Sequence, residues 1–214
     1  MSRKMTLWFA LALTLVATQA QAGAGEWMVN LNGGVASPLG DFKDSAKLGF
    51  MGGVGFDYGV SQNLALGVDG SFISNSGSED FETLLTTAAG TDVTASFSML
   101  QGGAHLKYNF PMASESSIAP YVVGGAGIYN VKNKLESTNA LFNGDASESK
   151  FGARGGLGLM YKTSQKVGIG IEGTYHWINT KETDPISGAE TYPSTTFFGV
   201  QAGVTIGLGT PSAQ

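Results

Sequence analysis

Hydrophobic and polar residues alternate with a period of two along most of the chain after residue 25. This alternation is typical of β-strands, in which successive side chains point to opposite faces. It predicts eight strands, at residues 26–36, 48–59, 63–74, 93–110, 119–131, 150–162, 167–179 and 196–208. Each has about 11 residues or more, enough to cross a membrane, which takes about 9–11 tilted residues. We therefore expect an all-β protein built from membrane-spanning strands.

The segments between the predicted strands alternate between long and short. Four are long, at 37–47, 75–92, 132–149 and 180–195, and three are short, at 60–62, 111–118 and 163–166. Long loops at one end and short turns at the other are typical of outer-membrane barrels with both termini in the periplasm. The pattern predicts an eight-stranded antiparallel up-and-down transmembrane β-barrel with four long extracellular loops. Within those loops only residues 81–85 suggest a turn of helix.

The two faces of each predicted strand differ in polarity. In 167–179, Ile169, Ile171 and Tyr175 share one face, while Glu172 and His176 share the other. The polar face is small and carries few charges, which fits a narrow lumen better than contact with water. We therefore expect the apolar face to meet lipid. A soluble lipocalin-like barrel that binds an apolar ligand inside, with the alternation inverted, is the less favoured alternative.

Aromatic residues cluster at both ends of the predicted strands. Near the short turns lie Trp27, Tyr58, Tyr108, Phe110, Tyr121 and Tyr161; near the long loops lie Phe50, Phe72, Tyr129, Phe151, Tyr175, Trp177 and Phe198. Aromatic residues favour strands in general, which explains their number but not their position. Two bands at opposite strand ends predict the aromatic girdles found at membrane interfaces.

The first 22 residues predict a secretory signal peptide. Arg3 and Lys4 precede an apolar run at 5–17, and Ala20-Gln21-Ala22 supplies a cleavage site of small residues. We expect cleavage after Ala22, which leaves residues 23–214 as a single outer-membrane barrel domain. The alternative, a retained membrane anchor, needs about 20 apolar residues, more than this run supplies.

Composition supports a membrane environment. Hydrophobic residues make up 42% of the chain and charged residues 14%, against about 25% charged in a typical soluble domain. The net charge is −5 and becomes −7 once Arg3 and Lys4 are removed. An acidic chain is a poor candidate for nucleic-acid binding. The chain has no cysteine, so no disulfide contributes to its stability.

Four segments resemble the outer-membrane protein β-barrel domain family. They are residues 33–42 (GGVASPLGDF), 52–60 (GGVGFDYGV), 63–66 (NLAL) and 120–127 (PYVVGGAG). The resemblance implies a small barrel similar to the OmpA transmembrane domain and to surface proteins of the Opa and Ail kind. It also implies outer-membrane lipid and lipopolysaccharide as surroundings, the outer-membrane assembly machinery as a partner during biogenesis, and a monomer. Such proteins usually end on an aromatic residue, whereas here residues 209–214 follow the last strand.

The predicted inward faces carry a near-balanced set of ionisable residues. These are Asp57, Asp69, His105, Lys107, Arg154, Glu172 and His176. An eight-stranded barrel has an interior just wide enough for side chains, and unpaired buried charges are costly. We therefore expect a lumenal ion-pair network with Arg154 and Glu172 at its centre. Individually solvated residues near the barrel mouths are the alternative.

No enzymatic site is predicted from the sequence. The two histidines, His105 and His176, lack a serine at the spacing found in lipid A deacylases. No zinc motif is present, because there is no cysteine and the two histidines are isolated from each other. We expect no cofactor and no metal. Lys132, Lys134 and Lys150 are candidates for contact with lipopolysaccharide phosphates. The expected function is structural or surface-interacting, through the long loops; a narrow pore for small solutes is the alternative.

Overall fold

The computed structural model describes residues 24–112, 116–164, 166–180, 182–183, 190–192 and 194–208. The predicted signal peptide and residues 209–214 lie outside the described residues. Ten strands occur in the described part: β1 (Trp27–Leu39), β2 (Gly49–Gly59), β3 (Leu64–Ser76), β4 (Val93–Asn109), β5 (Ile118–Ser137), β6 (Gly144–Lys162), β7 (Val167–Ile178), β8 (Glu182–Thr183), β9 (Glu190–Tyr192) and β10 (Thr195–Gly207). Strands β1 to β7 and β10 form one closed barrel of antiparallel neighbours, and β8 pairs with β9 outside it. The predicted eight-stranded up-and-down barrel is confirmed.

Short helices lie in the long connections. Helix α1 (Phe42–Ser45) follows β1, α2 (Glu79–Ala89) follows β3, and a 3₁₀ turn at Ala140–Phe142 joins β5 to β6. The side chain of Ser78 caps α2 by accepting a hydrogen bond from the Phe81 N–H at 3.2 Å. Gly90, with φ of 67°, ends the helix in the left-handed conformation. No helix in the described ranges is long and apolar enough to cross a membrane.

The short turns and the ends of the barrel strands lie close to where the sequence predicts them, with one exception. Between β2 and β3, the N–H groups of Val60 and Ser61 both donate to the Leu64 carbonyl. The exception is the predicted loop 132–149, most of which is strand, because β5 and β6 stay paired as far as Leu135 and Gly144. Apolar alternation ends near residue 131, so it marks the edge of the lipid-facing region rather than the end of the strand pair.

The apolar faces of the strands point outward. Leu31 and Ile171 are 51% and 52% exposed, whereas the inward-facing Thr174 and His176 are 0% exposed. The exterior therefore carries the aliphatic side chains that suit lipid, and the interior carries polar ones. This direction contradicts the inverted, lipocalin-like alternative.

Most of the predicted girdle aromatics lie on the outer surface. Nine are at least 37% exposed: Trp27, Tyr58, Phe110, Tyr161, Phe50, Phe72, Phe151, Tyr175 and Phe198. Tyr108 packs edge-to-face on Phe110, and Trp177 has the outward parity of its strand. The girdle prediction is wrong for Tyr121 and Tyr129, because they are 5% and 1% exposed and point into the lumen. The role of the outward set at the membrane interface stays a prediction.

Candidate functional site

One row of cross-strand partners brings charged residues from several strands to the same level of the lumen. Asp57 lies opposite Gly67, and Gly67 lies opposite His105. Farther around the wall, His105 lies opposite Gly125, which lies opposite Arg154. Large side chains therefore alternate with glycines, and each large side chain has room to lean over a glycine toward the next.

Five side chains form a hydrogen-bonded group in the middle of the lumen, called the lumenal cluster: Asp57, Asp69, His105, Lys107 and Arg154. His105 Nε2 lies 2.8 Å from Asp57 Oδ1, and its Nδ1 lies 2.9 Å from Asp69 Oδ1. Lys107 Nζ donates to Asp57 Oδ2 at 2.7 Å, and Arg154 Nη2 donates to Asp69 Oδ1 at 2.6 Å. Arg154 Nη2 also lies 3.2 Å from His105 Nδ1. Two carboxylates thus share three basic side chains.

Burial makes the members of the lumenal cluster depend on one another. The Asp57 side chain is 1% exposed, and those of Lys107 and Arg154 are 12% and 11% exposed. Removing one partner from such a pair leaves an uncompensated charge and costs roughly 3–5 kcal/mol. Gln101 lies beside the group and accepts a hydrogen bond from Ser71 Oγ at 2.8 Å.

Gly67 provides the space for the hydrogen bond between His105 and Asp57 in the lumenal cluster. A Cβ atom at Gly67 would collide with Asp57 Oδ1 and with the Nε2 and Cε1 atoms of His105. The His105 ring therefore reaches Asp57 only because the residue between them has no side chain. Gly158 plays the same part for Tyr121, whose ring lies where a Cβ of Gly158 would be.

Arg154 and Glu172, the predicted centre of the network, do not pair. Arg154 lies opposite His176, whereas Glu172 lies opposite Gly158, four residues farther along β6. Tyr121 instead leans across Gly158 toward Glu172. Among the described residues, Arg154 pairs with Asp69, and Glu172 forms no ion pair. The predicted Arg154–Glu172 pair is therefore wrong, because the two residues are separated along the strands.

His176 also lies apart from the predicted ion pairs. Its side chain is 0% exposed, and its Nδ1 lies 2.9 Å from the Tyr129 hydroxyl. Its Nε2 lies 3.1 Å from Thr174 Oγ1, and its ring stacks on Phe197 with 4.3 Å between centroids. All the groups that His176 hydrogen bonds are uncharged, so it belongs with the packed, neutral part of the lumen.

Apolar side chains fill the lumen on the long-loop side of the lumenal cluster. This apolar layer consists of Met51, Ile73, Met99, Ile178 and Phe197, each at most 3% exposed. Met51, Ile73 and Met99 are cross-strand neighbours in one row. Phe42 of α1 packs on the layer and meets Phe97 edge-to-face at 5.5 Å. These side chains pack against one another across the described lumen on its long-loop side.

A cavity of about 70 Å³ lies on the opposite side of the lumenal cluster. Lys107 and Arg154 line one part of it, and Glu172, Gln201 and Asn32 line another. Asn32 and Gln201 belong to this lining, although their side-chain oxygens are themselves fully buried. The lumenal cluster and Glu172 thus lie in the middle and on the short-turn side of the lumen.

Sequence reasoning missed the two inward tyrosines, Tyr121 and Tyr129. Both faces of residues 119–131 are mostly aliphatic or glycine, so polarity does not identify the inner face. The strand register does identify it, because Tyr121 lies opposite Gly158 and Gly158 lies opposite Glu172. The signal is therefore a glycine placed between a tyrosine and an acid, which is visible only once neighbouring strands are aligned.

Comparisons with known proteins agree with this architecture. The profile of the outer membrane protein beta-barrel domain family matches residues 8–208. Neisserial surface protein A has a similar structure, with a TM-score of 0.53 and 17% identity over 84% of this chain and 96% of that one. A major outer membrane protein of Thermus thermophilus gives a TM-score of 0.54 with 11% identity over 85% of this chain and 99% of that one. Identities this low show the fold alone.

No curated protein matches the chain significantly. The family profile nevertheless covers most of its length, and the described strands close into the barrel that this family forms. The chain therefore belongs to the outer membrane protein β-barrel domain family and is an integral protein of the bacterial outer membrane.

Proposed function

We propose that this protein is a closed barrel that acts at the cell surface through its long loops, in a structural or interaction role. The observation that carries the proposal is the apolar layer. Its side chains are at most 3% exposed, so it offers no wetted path, and hydrophobic constrictions block conduction by excluding water. The loops are then the part of the molecule left to meet a partner, as is common for recognition residues.

The long-loop end is built to present such a surface. Strands β4, β5 and β6 remain paired as far as Ser137 and Gly144, beyond the point where apolar alternation ends. The connection at the tip carries Leu141, which is 88% exposed. Continuous backbone hydrogen bonding makes this extension a rigid support, which favours a surface role over a collapsed plug.

The surroundings in this proposal are outer-membrane lipid and lipopolysaccharide, with both termini in the periplasm and the assembly machinery acting during biogenesis. A monomer fits because the closed sheet has no free edge. The loop lysines are not a simple phosphate site, because each lies beside a carboxylate. Lys132 Nζ lies 3.5 Å from Asp145 Oδ2, and Lys150 Nζ lies 2.6 Å from Glu148 Oε2. Any contact with lipopolysaccharide phosphates therefore has to compete with these carboxylates.

Conductance in planar lipid bilayers tests the proposal. The purified protein should insert without producing steady ohmic steps, while an established porin inserted at the same protein-to-lipid ratio supplies the positive control. The Met51→Ala variant should also stay silent, because the lumenal cluster lies beneath the apolar layer. Steady steps from the wild-type protein that grow in Met51→Ala would identify a path through the lumen and refute the closed-barrel proposal in favour of a narrow pore.

A further inference from the structure

The ring of His105 lies between two carboxylates of the lumenal cluster. Its Nε2 lies 2.8 Å from Asp57 Oδ1, and its Nδ1 lies 2.9 Å from Asp69 Oδ1. Both separations are those of hydrogen bonds. The ring therefore connects β4, its own strand, to β2 and β3 at the same time.

Both contacts are hydrogen bonds only when both ring nitrogens carry a proton. A neutral imidazole has one N–H group and one bare acceptor nitrogen, whereas an imidazolium has two donors. A carboxylate oxygen is an acceptor as well. With a neutral ring, one nitrogen of His105 would therefore face Asp57 or Asp69 with lone pairs on both atoms and no proton between them. The geometry fits the imidazolium.

The contacts of the two acids place the extra proton on the ring. Arg154 Nη2 donates to Asp69 Oδ1 at 2.6 Å, the same oxygen that His105 Nδ1 approaches, and Lys107 Nζ donates to Asp57 Oδ2 at 2.7 Å. Contacts this short are typical of charge-assisted hydrogen bonds to carboxylates. Arg154 Nη2 lies farther from His105 Nδ1, at 3.2 Å, so the Asp69 oxygen is its acceptor.

The charges at this level of the lumen balance only when His105 is protonated. The titratable groups that surround its ring in the described barrel lie on six strands: Asp57 on β2, Asp69 on β3, Lys107 on β4, Tyr121 and Tyr129 on β5, Arg154 on β6, and Glu172 and His176 on β7. The residues of β1 and β10 that line the cavity are uncharged. Three carboxylates then face three cations. With a neutral His105 they would share two, and uncompensated charge in a buried site is costly.

The ring can exchange a proton with water on the short-turn side. His105 lines the cavity of about 70 Å³, which extends to Met160, Gly170 and Thr205, within three residues of the short-turn ends of their strands. One water needs about 10–15 Å³ by this measure, so the volume accommodates several. On the other side the apolar layer packs across the lumen. The ring therefore responds to the pH of the compartment that the short turns face.

We propose that His105 is a proton-dependent clamp, which as an imidazolium holds Asp57 and Asp69 together and releases one of them when the pH rises. In the release step one ring nitrogen gives its proton to water. The bare nitrogen then repels the carboxylate beside it, and that contact opens while the backbone ladders of β2, β3 and β4 stay paired. The barrel keeps its wall but loses stability.

Long-range ¹H–¹⁵N correlation spectra of the folded barrel, labelled with ¹⁵N-histidine in detergent micelles, test the charge state. At about pH 8 a histidine with the ordinary pKa of about 6.5 is mostly neutral. We expect both ring nitrogens of His105 to be protonated at this pH. His176 is the control within the same molecule, because it contacts only the Tyr129 and Thr174 hydroxyls and should have one protonated nitrogen. This measurement needs only the wild-type protein.

Urea unfolding in lipid vesicles at a series of pH values tests the clamp itself. Below about pH 6.5 the unfolded chain is protonated as well, and the stabilisation is complete. Above that pH the unfolded chain has lost the proton that the clamp still holds, so stability falls as the pH rises until the folded barrel releases it too. Between about pH 7 and pH 10, the unfolding equilibrium constant of the wild type should rise at least about tenfold more than that of His105→Gln, which cannot titrate.

Two results would overturn the proposal. One unprotonated nitrogen on His105 at about pH 8 means that the ring is neutral and bonds only one of the two acids. The same pH dependence in the wild type and in His105→Gln means that another group is responsible. His176→Gln is the matched control for replacing a lumenal histidine, and it should keep the pH dependence of the wild type. If His105→Gln does not fold, the spectra of the wild type decide.

Discussion

Replacing Gly67 with alanine places a methyl group where the side chains of Asp57 and His105 meet. The new Cβ would collide with both partners of the hydrogen bond, which is 2.8 Å long. Because Asp57 is 1% exposed, the lost bond is not replaced by bulk water. A hydrogen bond to a charged group contributes about 1.5–3 kcal/mol, and the stiffer unfolded chain of alanine offsets about 0.4–1 kcal/mol. We expect a net loss of about 1–2 kcal/mol in the free energy of unfolding.

Urea-driven unfolding of the barrel in lipid vesicles measures this loss. Tryptophan fluorescence follows the transition, and gel migration of unheated samples reports the folded fraction. Gly102→Ala is the matched control, because a Cβ at Gly102 meets nothing within 4 Å and that position faces lipid. Its free energy of unfolding should stay at the wild-type value or rise slightly.

A double-mutant cycle assigns the loss to the right contact. In the His105→Ala background the histidine is already absent, so adding Gly67→Ala should cost at least about 0.5 kcal/mol less than it does in the wild type. Equal stability of Gly67→Ala and the wild type would refute the claim that this glycine makes room for the pair. Equal losses in Gly67→Ala and Gly102→Ala would point to the strand backbone instead.

Two further predictions concern orientation and the neutral part of the lumen. The chain has no cysteine, so a single introduced cysteine can be labelled selectively. Leu141→Cys at the hairpin tip should react with a membrane-impermeant maleimide on intact cells, whereas Ser61→Cys in a short turn should react only after permeabilisation. The reverse pattern would invert the proposed orientation. Tyr129→Phe removes the hydroxyl that lies 2.9 Å from His176 Nδ1. It should lower the free energy of unfolding by about 1–3 kcal/mol, the cost of a buried polar group left unpaired. A urea midpoint unchanged from the wild type would show that water replaces the hydroxyl.

Much of the fold could be predicted because the membrane imposes a simple period on the sequence. Lipid requires every strand to be long and to alternate, and closure leaves each strand paired on both sides. The same rule explains the error at 132–149. Beyond the lipid, polar residues such as Lys132 and Asn133 pair as strands without an apolar face, so alternation in hydrophobicity no longer reports the strand.

The site was harder to predict than the fold. The five residues of the lumenal cluster all belong to the inward polar set named from the sequence, but their partners depend on the offset between neighbouring strands. Glu172 illustrates this, since one strand register puts it beside Tyr121 rather than Arg154. Tyr129 was misplaced because an aromatic near a strand end fits both a girdle and a packed lumen. Side-chain polarity gives the face of a residue, whereas its contacts require the register.

The members of the lumenal cluster lie on β2, β3, β4 and β6, and none lies on β1 or β10, the strands whose pairing closes the wall. Among the described residues, side-chain hydrogen bonds cross that seam from Thr205 to the Asn30 side chain at 2.7 Å and from Thr196 to the Leu39 carbonyl at 3.3 Å, and both are neutral. Charge pairing can therefore be complete in a curved, still open sheet. Sealing that sheet then requires backbone hydrogen bonds but no further neutralisation of charge. Parting of the wall along the β1–β10 seam would therefore leave the ion pairs of the lumenal cluster intact.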